Sequence, residues 1–228
     1  MQKELENNLK IVNSSIKLAC DSSRINSKDI LLIAVSKKKS LDHIKSVIKI
    51  GVADFGENYS QELQEKSEAL ALENIFWHFI GPIQSNKIKI IAKHAHWVHS
   101  LDRESIVIKL NGQCDALNKT INGLIQINIS NESSKSGIAP AEMENFAKLI
   151  EASKSINLRG IMVLPKLTDD IEETKSMMRL SKDLHDKLVK IYPHASYLSM
   201  GTTSDFKTAI ECGSNMLRIG ELIFGKRL

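Results

Sequence analysis

Apolar positions along this chain follow two rhythms. Near the N-terminus, Leu5, Leu9, Val12, Ile16 and Ala19 recur at spacings of four, three, four and three. That spacing puts them on one face of a helix, which Asp21-Ser-Ser closes. From residue 30 onward, short β-branched runs alternate with longer amphipathic stretches. The runs predict strands at 30–35, 52–55, 75–80, 96–99, 122–129, 158–164, 196–200 and 215–219. Two of the intervening helices read clearly. In 140–152, Pro140 sits where a first-turn proline is tolerated, and Met143, Phe146, Ala147 and Ile150 form a stripe. In 171–191, Thr168-Asp-Asp precedes Glu172 and Glu173, good chemistry for a helix start. Ile171, Leu180, Leu184, Leu188 and Ile191 are expected on its inner face.

Eight strands with helices between them predict a single (β/α)8 TIM barrel behind an extra N-terminal helix. An open doubly wound sheet is the rival. At 228 residues the chain sits near the lower limit for a barrel, and the strand count favours closure. No linker, repeat or low-complexity stretch divides it, so residues 1–228 are expected to form one domain.

Composition narrows the function classes. Hydrophobic residues make up 42% and charged residues 25%, which is globular usage. The net charge is +4, and lysines supply 25 of the 31 basic residues. A thin lysine excess reads as solvated surface, so no nucleic-acid partner is expected. The longest apolar run, Ile30 to Val35, is far too short for a membrane span. The first residues are polar and include acids, unlike a secretory or transit signal. Three scattered cysteines, Cys20, Cys114 and Cys212, lack metal or redox spacing. A reducing, cytoplasmic setting is the expectation.

Several motifs fail on inspection. No Gly-x-Gly-x-x-Gly is present. The segment Gly220 to Arg227 imitates a phosphate-binding P-loop for seven positions, then places Arg where Ser or Thr must bind magnesium. His94, His96 and His99 are close, but in a 96–99 strand His96 and His99 point to opposite faces. They read as ordinary histidines, and no metal site is expected. No Gly-x-Ser-x-Gly elbow or nucleophilic cysteine context appears.

Function in a barrel sits at the C-terminal ends of the strands. Those ends carry Ser36-Lys37-Lys38-Lys39, Gly56-Glu57-Asn58, Gly81 to Lys87, His99 to Arg103, Asn128 to Ser130, Ser199 to Asp205, and Arg218 to Glu221. Lys37, at a strand end against apolar walls, suits Schiff-base chemistry; the alternative is that 37–39 is a solvated charge run. Gly201-Thr-Thr-Ser204 offers hydroxyls and amides after strand seven, and Gly220 would let a phosphate approach the backbone. The alternative is a helix cap by Ser204 and a turn glycine. Arg218 lies inside an apolar strand and needs a partner. That partner is either structural or a ligand's ring nitrogen or phosphate.

Together these fragments resemble the YggS/PROSC-type pyridoxal phosphate homeostasis proteins. The resemblance is carried by Ile33-Ala-Val-Ser-Lys37, Phe55-Gly-Glu-Asn-Tyr59, Trp77 to Lys87, His99 to Arg103, Gln126 to Ile129, Ser134-Lys-Ser-Gly137, Leu198 to Gly201 and Arg218-Ile-Gly220. It implies the barrel of alanine-racemase-like enzymes without their second domain. It implies pyridoxal 5'-phosphate (PLP) held as a Schiff base on Lys37, with Arg218 facing the pyridine nitrogen. The phosphate would rest on the loop at Thr203 and the backbone near Gly220, and Asn58, His78 and Ser199 fall at pocket positions. One departure stands out: the family usually reads Met-Gly-Met-Ser-x-Asp after strand seven, where this chain has Met200-Gly-Thr-Thr-Ser-Asp205. Thr203 keeps the hydroxyl of the usual Ser.

Two functions remain. A non-catalytic carrier would act in PLP (vitamin B6) and amino-acid homeostasis, with PLP-dependent apoenzymes as possible partners. The rival is a PLP-dependent racemase-like enzyme. Racemisation needs proton donors on both faces of the carbanion, and the chain ends at Leu228, a few residues past the last strand, with no room for the domain that helps build such a site. Arg218 near the pyridine nitrogen also weakens the electron sink. A non-enzymatic, monomeric carrier is therefore expected.

Overall fold

The structure is a computed structural model describing residues 2–130, 132, 136–166 and 168–225. Eight parallel strands close into a barrel in sequence order. They are β1 (Leu31–Val35), β2 (Asp54–Glu57), β3 (Phe76–Phe79), β4 (Trp97–Leu101), β5 (Ile121–Ile127), β6 (Ile156–Val163), β7 (Tyr197–Ser199) and β8 (Met216–Ile219). Closure runs through β1 and β8, where Leu31 to Ala34 pair with Met216 to Ile219. The helices that matter for the site are α1 (Gln2–Ser23), α2 (Leu41–Lys49), α3 (Ser60–Ala69), α4 (Ile88–His94), α5 (Glu104–Ala116), α6 (Met143–Glu151), α7 (Ile171–Ile191), α8 (Phe206–Glu211) and α9 (Glu221–Phe224).

Every expected strand is present, with shifted ends. Two shifts have a clear cause. β2 runs on through Glu57, because a buried lysine and a hydroxyl receive the carboxylate there. β4 continues to Leu101, because Ser100 donates its hydroxyl to the Gly81 carbonyl and Leu101 is fully buried. The 140–152 helix opens as a single 3-10 turn at Pro140–Glu142 before α6 begins.

α1 buries the five apolar positions of its stripe and lies over α8 and α9. Asn8 reaches from it to the Ile223 carbonyl at 3.1 Å. α7 spans the expected residues, and Asp170 caps it by accepting from the Glu172 and Glu173 amides. Its inner face is different from the expected one. Met178, Ser181, Leu184, His185 and Leu188 are buried, whereas Ile171, Leu180 and Ile191 are exposed. Two polar residues complete the buried stripe, so a reading by apolar residues alone rotates it.

The apolar core has two layers. The larger lies between sheet and helices. A smaller cluster of Ile33, Trp97, Leu124, Met162 and Met216 fills the barrel. Side chains two apart on a strand share a face. Trp97 therefore fixes His99 inward, Met216 fixes Arg218, and Tyr197 fixes Ser199.

Candidate ligand-binding site at the barrel mouth

A cavity of about 440 Å³ opens at the C-terminal ends of the strands. Lys37, Asn58, Thr203, Arg218 and Gly220 all line it, with Lys39, Thr202, Ser204 and Glu221. Five of the seven expected site residues are thus brought together. His78 and Ser199 are not among its walls; they lie fully buried beneath it.

Lys37 stands two residues beyond β1. The 37–39 run is not a uniform solvated patch: Lys38 is exposed, while Lys37 and Lys39 face the cavity. Lys39 donates to the Phe224 and Gly225 carbonyls at 3.0 and 3.3 Å. Lys38 has φ +60, a left-handed conformation in which a non-glycine residue is uncommon.

A buried network holds both flanks of Lys37. Lys66 of α3 donates to the Ser36 carbonyl at 2.9 Å, to Glu57 at 2.8 Å and to Glu62 at 2.7 Å. The Ser36 hydroxyl donates to Glu57 at 2.6 Å, and the Lys38 amide donates to Glu62 at 2.7 Å. Burial pushes the Glu57 carboxyl up to about 7, against the pull of Lys66 and Ser36. Burial also raises Glu62, but hydrogen bonds from Lys66 and the Lys38 amide outweigh it and hold that carboxyl below its ordinary value. Sequence reasoning missed Lys66 and Glu62. Their i, i+4 spacing was the available signal, yet it usually marks a solvated pair.

After β7 the chain turns at Gly201, with φ +98; a Cβ there would lie 2.7 Å from the Ala209 Cβ. Asp205 draws the loop closed by accepting from the Thr202 amide at 2.6 Å and hydroxyl at 2.9 Å. Asp205, not Ser204, occupies the cap position of α8, and its side chain serves the loop instead. Thr203 is left lining the cavity. Gly220 has an ordinary negative φ; its Cβ position lies 3.1 Å from the Val35 carbonyl. Packing against β1 is therefore one demand for glycine there, independent of any phosphate.

Arg218 is 5% exposed. It donates to the Ser199 hydroxyl and, at 3.0 Å, to the Val163 carbonyl. Burial lowers its pKa to about 10, with Asp205 opposing, so the guanidinium stays charged at neutral pH. Both partners are structural, and Arg218 also lines the cavity. Asn58 contributes a buried Oδ1 with no hydrogen-bond partner, which a ligand donor would complete.

Beneath the cavity, His99 joins Ser199 to His78, and His78 reaches Asp54. His99 and Asp54 were also missed; the inward face shared with Trp97 was the signal for His99. His96 lies outside β4 and accepts from the Trp77 amide through Nδ1 at 2.9 Å. Among the described residues, no group of three or more His, Cys, Asp or Glu could hold a metal. Among the described residues, no helix is long and apolar enough to cross a membrane.

The family profile described as "Alanine racemase, N-terminal domain" matches residues 23–227. A "Pyridoxal phosphate homeostasis protein" of Haemophilus influenzae is 43% identical over 98% of this chain and 96% of its own. The chain belongs to the pyridoxal phosphate homeostasis protein family. A family member of Synechococcus elongatus PCC7942, PipY, solved with PLP bound, superposes with a TM-score of 0.80 at 28% identity. The match covers 92% of this chain and 99% of PipY. An alanine racemase of Clostridium difficile 630 shares the fold, with a TM-score of 0.79 at 16% identity, over 99% of this chain and 57% of the racemase. The chain thus has the alanine-racemase N-terminal-like barrel, and the rival open sheet is excluded.

The residues at the mouth fit PLP. The cavity is of small-ligand size. It offers an amine at Lys37, a cation at Arg218, a hydroxyl at Thr203 and an unsatisfied acceptor at Asn58.

Proposed function

We propose that this protein is a non-catalytic PLP carrier that works as one barrel domain in vitamin B6 and amino-acid homeostasis. The observation that carries the reading is the convergence of Lys37, Arg218 and Thr203 on one cavity. Lys37 supplies the amine that links to the ligand aldehyde. Arg218, pinned by Ser199 and Val163, presents a permanent donor to the ring nitrogen. Thr203, with the backbone at Gly220, receives the phosphate, and Asn58 orients the ring. PLP, when bound, supplies an electrophilic aldehyde that can be passed to another amine. PLP-dependent apoenzymes are the natural recipients.

Two features favour a carrier over a racemase. A donor-only guanidinium at the ring nitrogen disfavours its protonation and so weakens electron withdrawal. Among the described residues, the walls hold no Tyr, His or Cys; besides Lys37 and Arg218 their titratable side chains are Glu221 and Lys39, the latter drawn to the Phe224 and Gly225 carbonyls. The same family fold in alanine racemase accounts for 57% of that enzyme's length.

The test compares ligands and variants. Selective retention must come mostly from the phosphate, because imines also form on exposed lysines. Charge-assisted hydrogen bonds contribute about 1.5–3 kcal/mol each, so Thr203→Val should weaken PLP retention about tenfold or more. Pyridoxal, lacking the phosphate, should bind wild type poorly and respond little. Equal losses for both ligands would mean that the loop shapes the barrel rather than gripping phosphate. Alanine racemisation above the free-PLP background would overturn the carrier reading.

A further inference from the structure

The cavity uses only the upper end of a longer polar chain. Arg218 donates to Ser199. Ser199 Oγ lies 3.0 Å from His99 Nδ1, and His99 Nε2 lies 3.0 Å from His78 Nδ1. His78 Nε2 lies 2.9 Å from Asp54 Oδ1. Asp54 opens β2 at the opposite, N-terminal face of the barrel, and its side chain is 17% exposed. Five side chains thus run through the interior from solvent at one end to the cavity at the other.

The two ends set the direction of every bond. Arginine can only donate and a carboxylate can only accept. With both histidines neutral, Ser199 accepts from Arg218 and gives its own hydrogen to His99 Nδ1. His99 Nε2–H then donates to His78 Nδ1, and His78 Nε2–H donates to Asp54. Each link then pairs one donor with one acceptor, and both nitrogens of each imidazole are used. The one reversal available protonates His78 on both nitrogens and turns His99 around, and the Ser199 hydroxyl hydrogen then loses its acceptor. Burial opposes that charge, because His78 and His99 are both 0% exposed. Trp97 stacks on His78 at 5.5 Å and 11° and shields it. Burial holds both imidazoles below their ordinary values; Asp54 alone pulls His78 upward, while His78 and then Arg218 push His99 further down.

We propose that His99 and His78, anchored by Asp54, are positioning residues that fix the Ser199 hydroxyl, which in turn holds Arg218, and so sharpen the cavity's preference for a ring with an acceptor atom facing the guanidinium. Without His99, the Ser199 hydroxyl is free to rotate and Arg218 loses a fixed partner. This inference rests on the PLP reading of the cavity and adds the device that aims its cation.

The test uses two ligands that differ in one ring atom: PLP and 1-deaza-PLP, with the same aldehyde and phosphate but a ring C–H in place of the nitrogen. Retention is measured for wild type, His99→Phe and Ser199→Ala. His99→Phe keeps ring volume without either nitrogen. Ser199→Ala is a smaller change that keeps the question open if the first variant folds badly. Wild type is expected to hold PLP about tenfold more tightly than the deaza ligand, the worth of one charge-assisted bond. Both variants are expected to lose about tenfold for PLP and almost nothing for the deaza ligand, so the preference collapses. Equal losses for the two ligands, an unchanged preference, or no preference in wild type would each overturn the proposal. If wild type retains neither ligand, the PLP reading itself fails, which is a separate and distinguishable result.

Discussion

Lys37 was legible as a strand-end residue and lines the cavity, but the network on its two flanks was not legible. Ser36 follows β1, Glu57 ends β2, and Glu62 and Lys66 lie on α3; only the last two share a local spacing, and no local pattern links them to the others. Each would read as a surface residue alone; burial makes them a unit, because an unpaired charge there is costly. Glu57 gives this network a measurable signature. Its carboxyl is raised to about 7 in the fold and returns to an ordinary 4.5 on unfolding. The unfolded chain therefore gives up this proton first as pH rises, and the stability associated with the protonated form is lost between about 4.5 and 7. Glu57→Gln has no such proton. Relative to the variant, wild type should lose about 2 kcal/mol of unfolding free energy from pH 5 to pH 8. Denaturant melts of both proteins at the two pH values measure this. A constant difference would show that Lys66 keeps Glu57 ionised throughout.

At the scale of elements, the existence of all eight strands was legible, because β-branched runs separated by amphipathic stretches have few other solutions. Strand ends were less so, since they depend on distant partners such as the Gly81 carbonyl that receives Ser100. The α7 face was misread because Ser181 and His185 are buried in it, and polarity hides burial from a pattern of apolar positions. The loop after β7 was legible as one of the strand-end loops that line the cavity, but its closure by Asp205 was not. That loop turns on Gly201, whose φ of +98 and whose contact with Ala209 leave no room for a side chain. Gly201→Ala should destabilise the fold by about 1–3 kcal/mol and loosen PLP retention as the loop carrying Thr203 shifts. Thermal melts with and without PLP check both effects. An unchanged melt would mean that the turn tolerates a side chain by moving.

Across the whole molecule, the barrel places chemistry from β1, β2, β7 and β8 around one opening, and it threads the Asp54-to-Arg218 line through the middle. Sequence alone reached five cavity residues because strand ends converge in any such barrel. The resemblance named His78 and Ser199 singly, but the line that joins them was not legible, since His78, His99 and Ser199 meet only when three strands curl together. α1 closes the outside over α8 and α9. Val12 on its buried face is 1% exposed, and Val12→Ala should cost about 1–3 kcal/mol without changing which lysine binds PLP. The central claim is that this cavity holds PLP through Lys37, and borohydride reduction followed by peptide mapping tests it most directly. The protein incubated with PLP should show a visible absorption band that borohydride bleaches, and the label should map to Lys37. Lys37→Ala should stay folded and lose the band. A label on Lys38, on Lys39 or spread across surface lysines, or a band that survives in Lys37→Ala, would contradict the account.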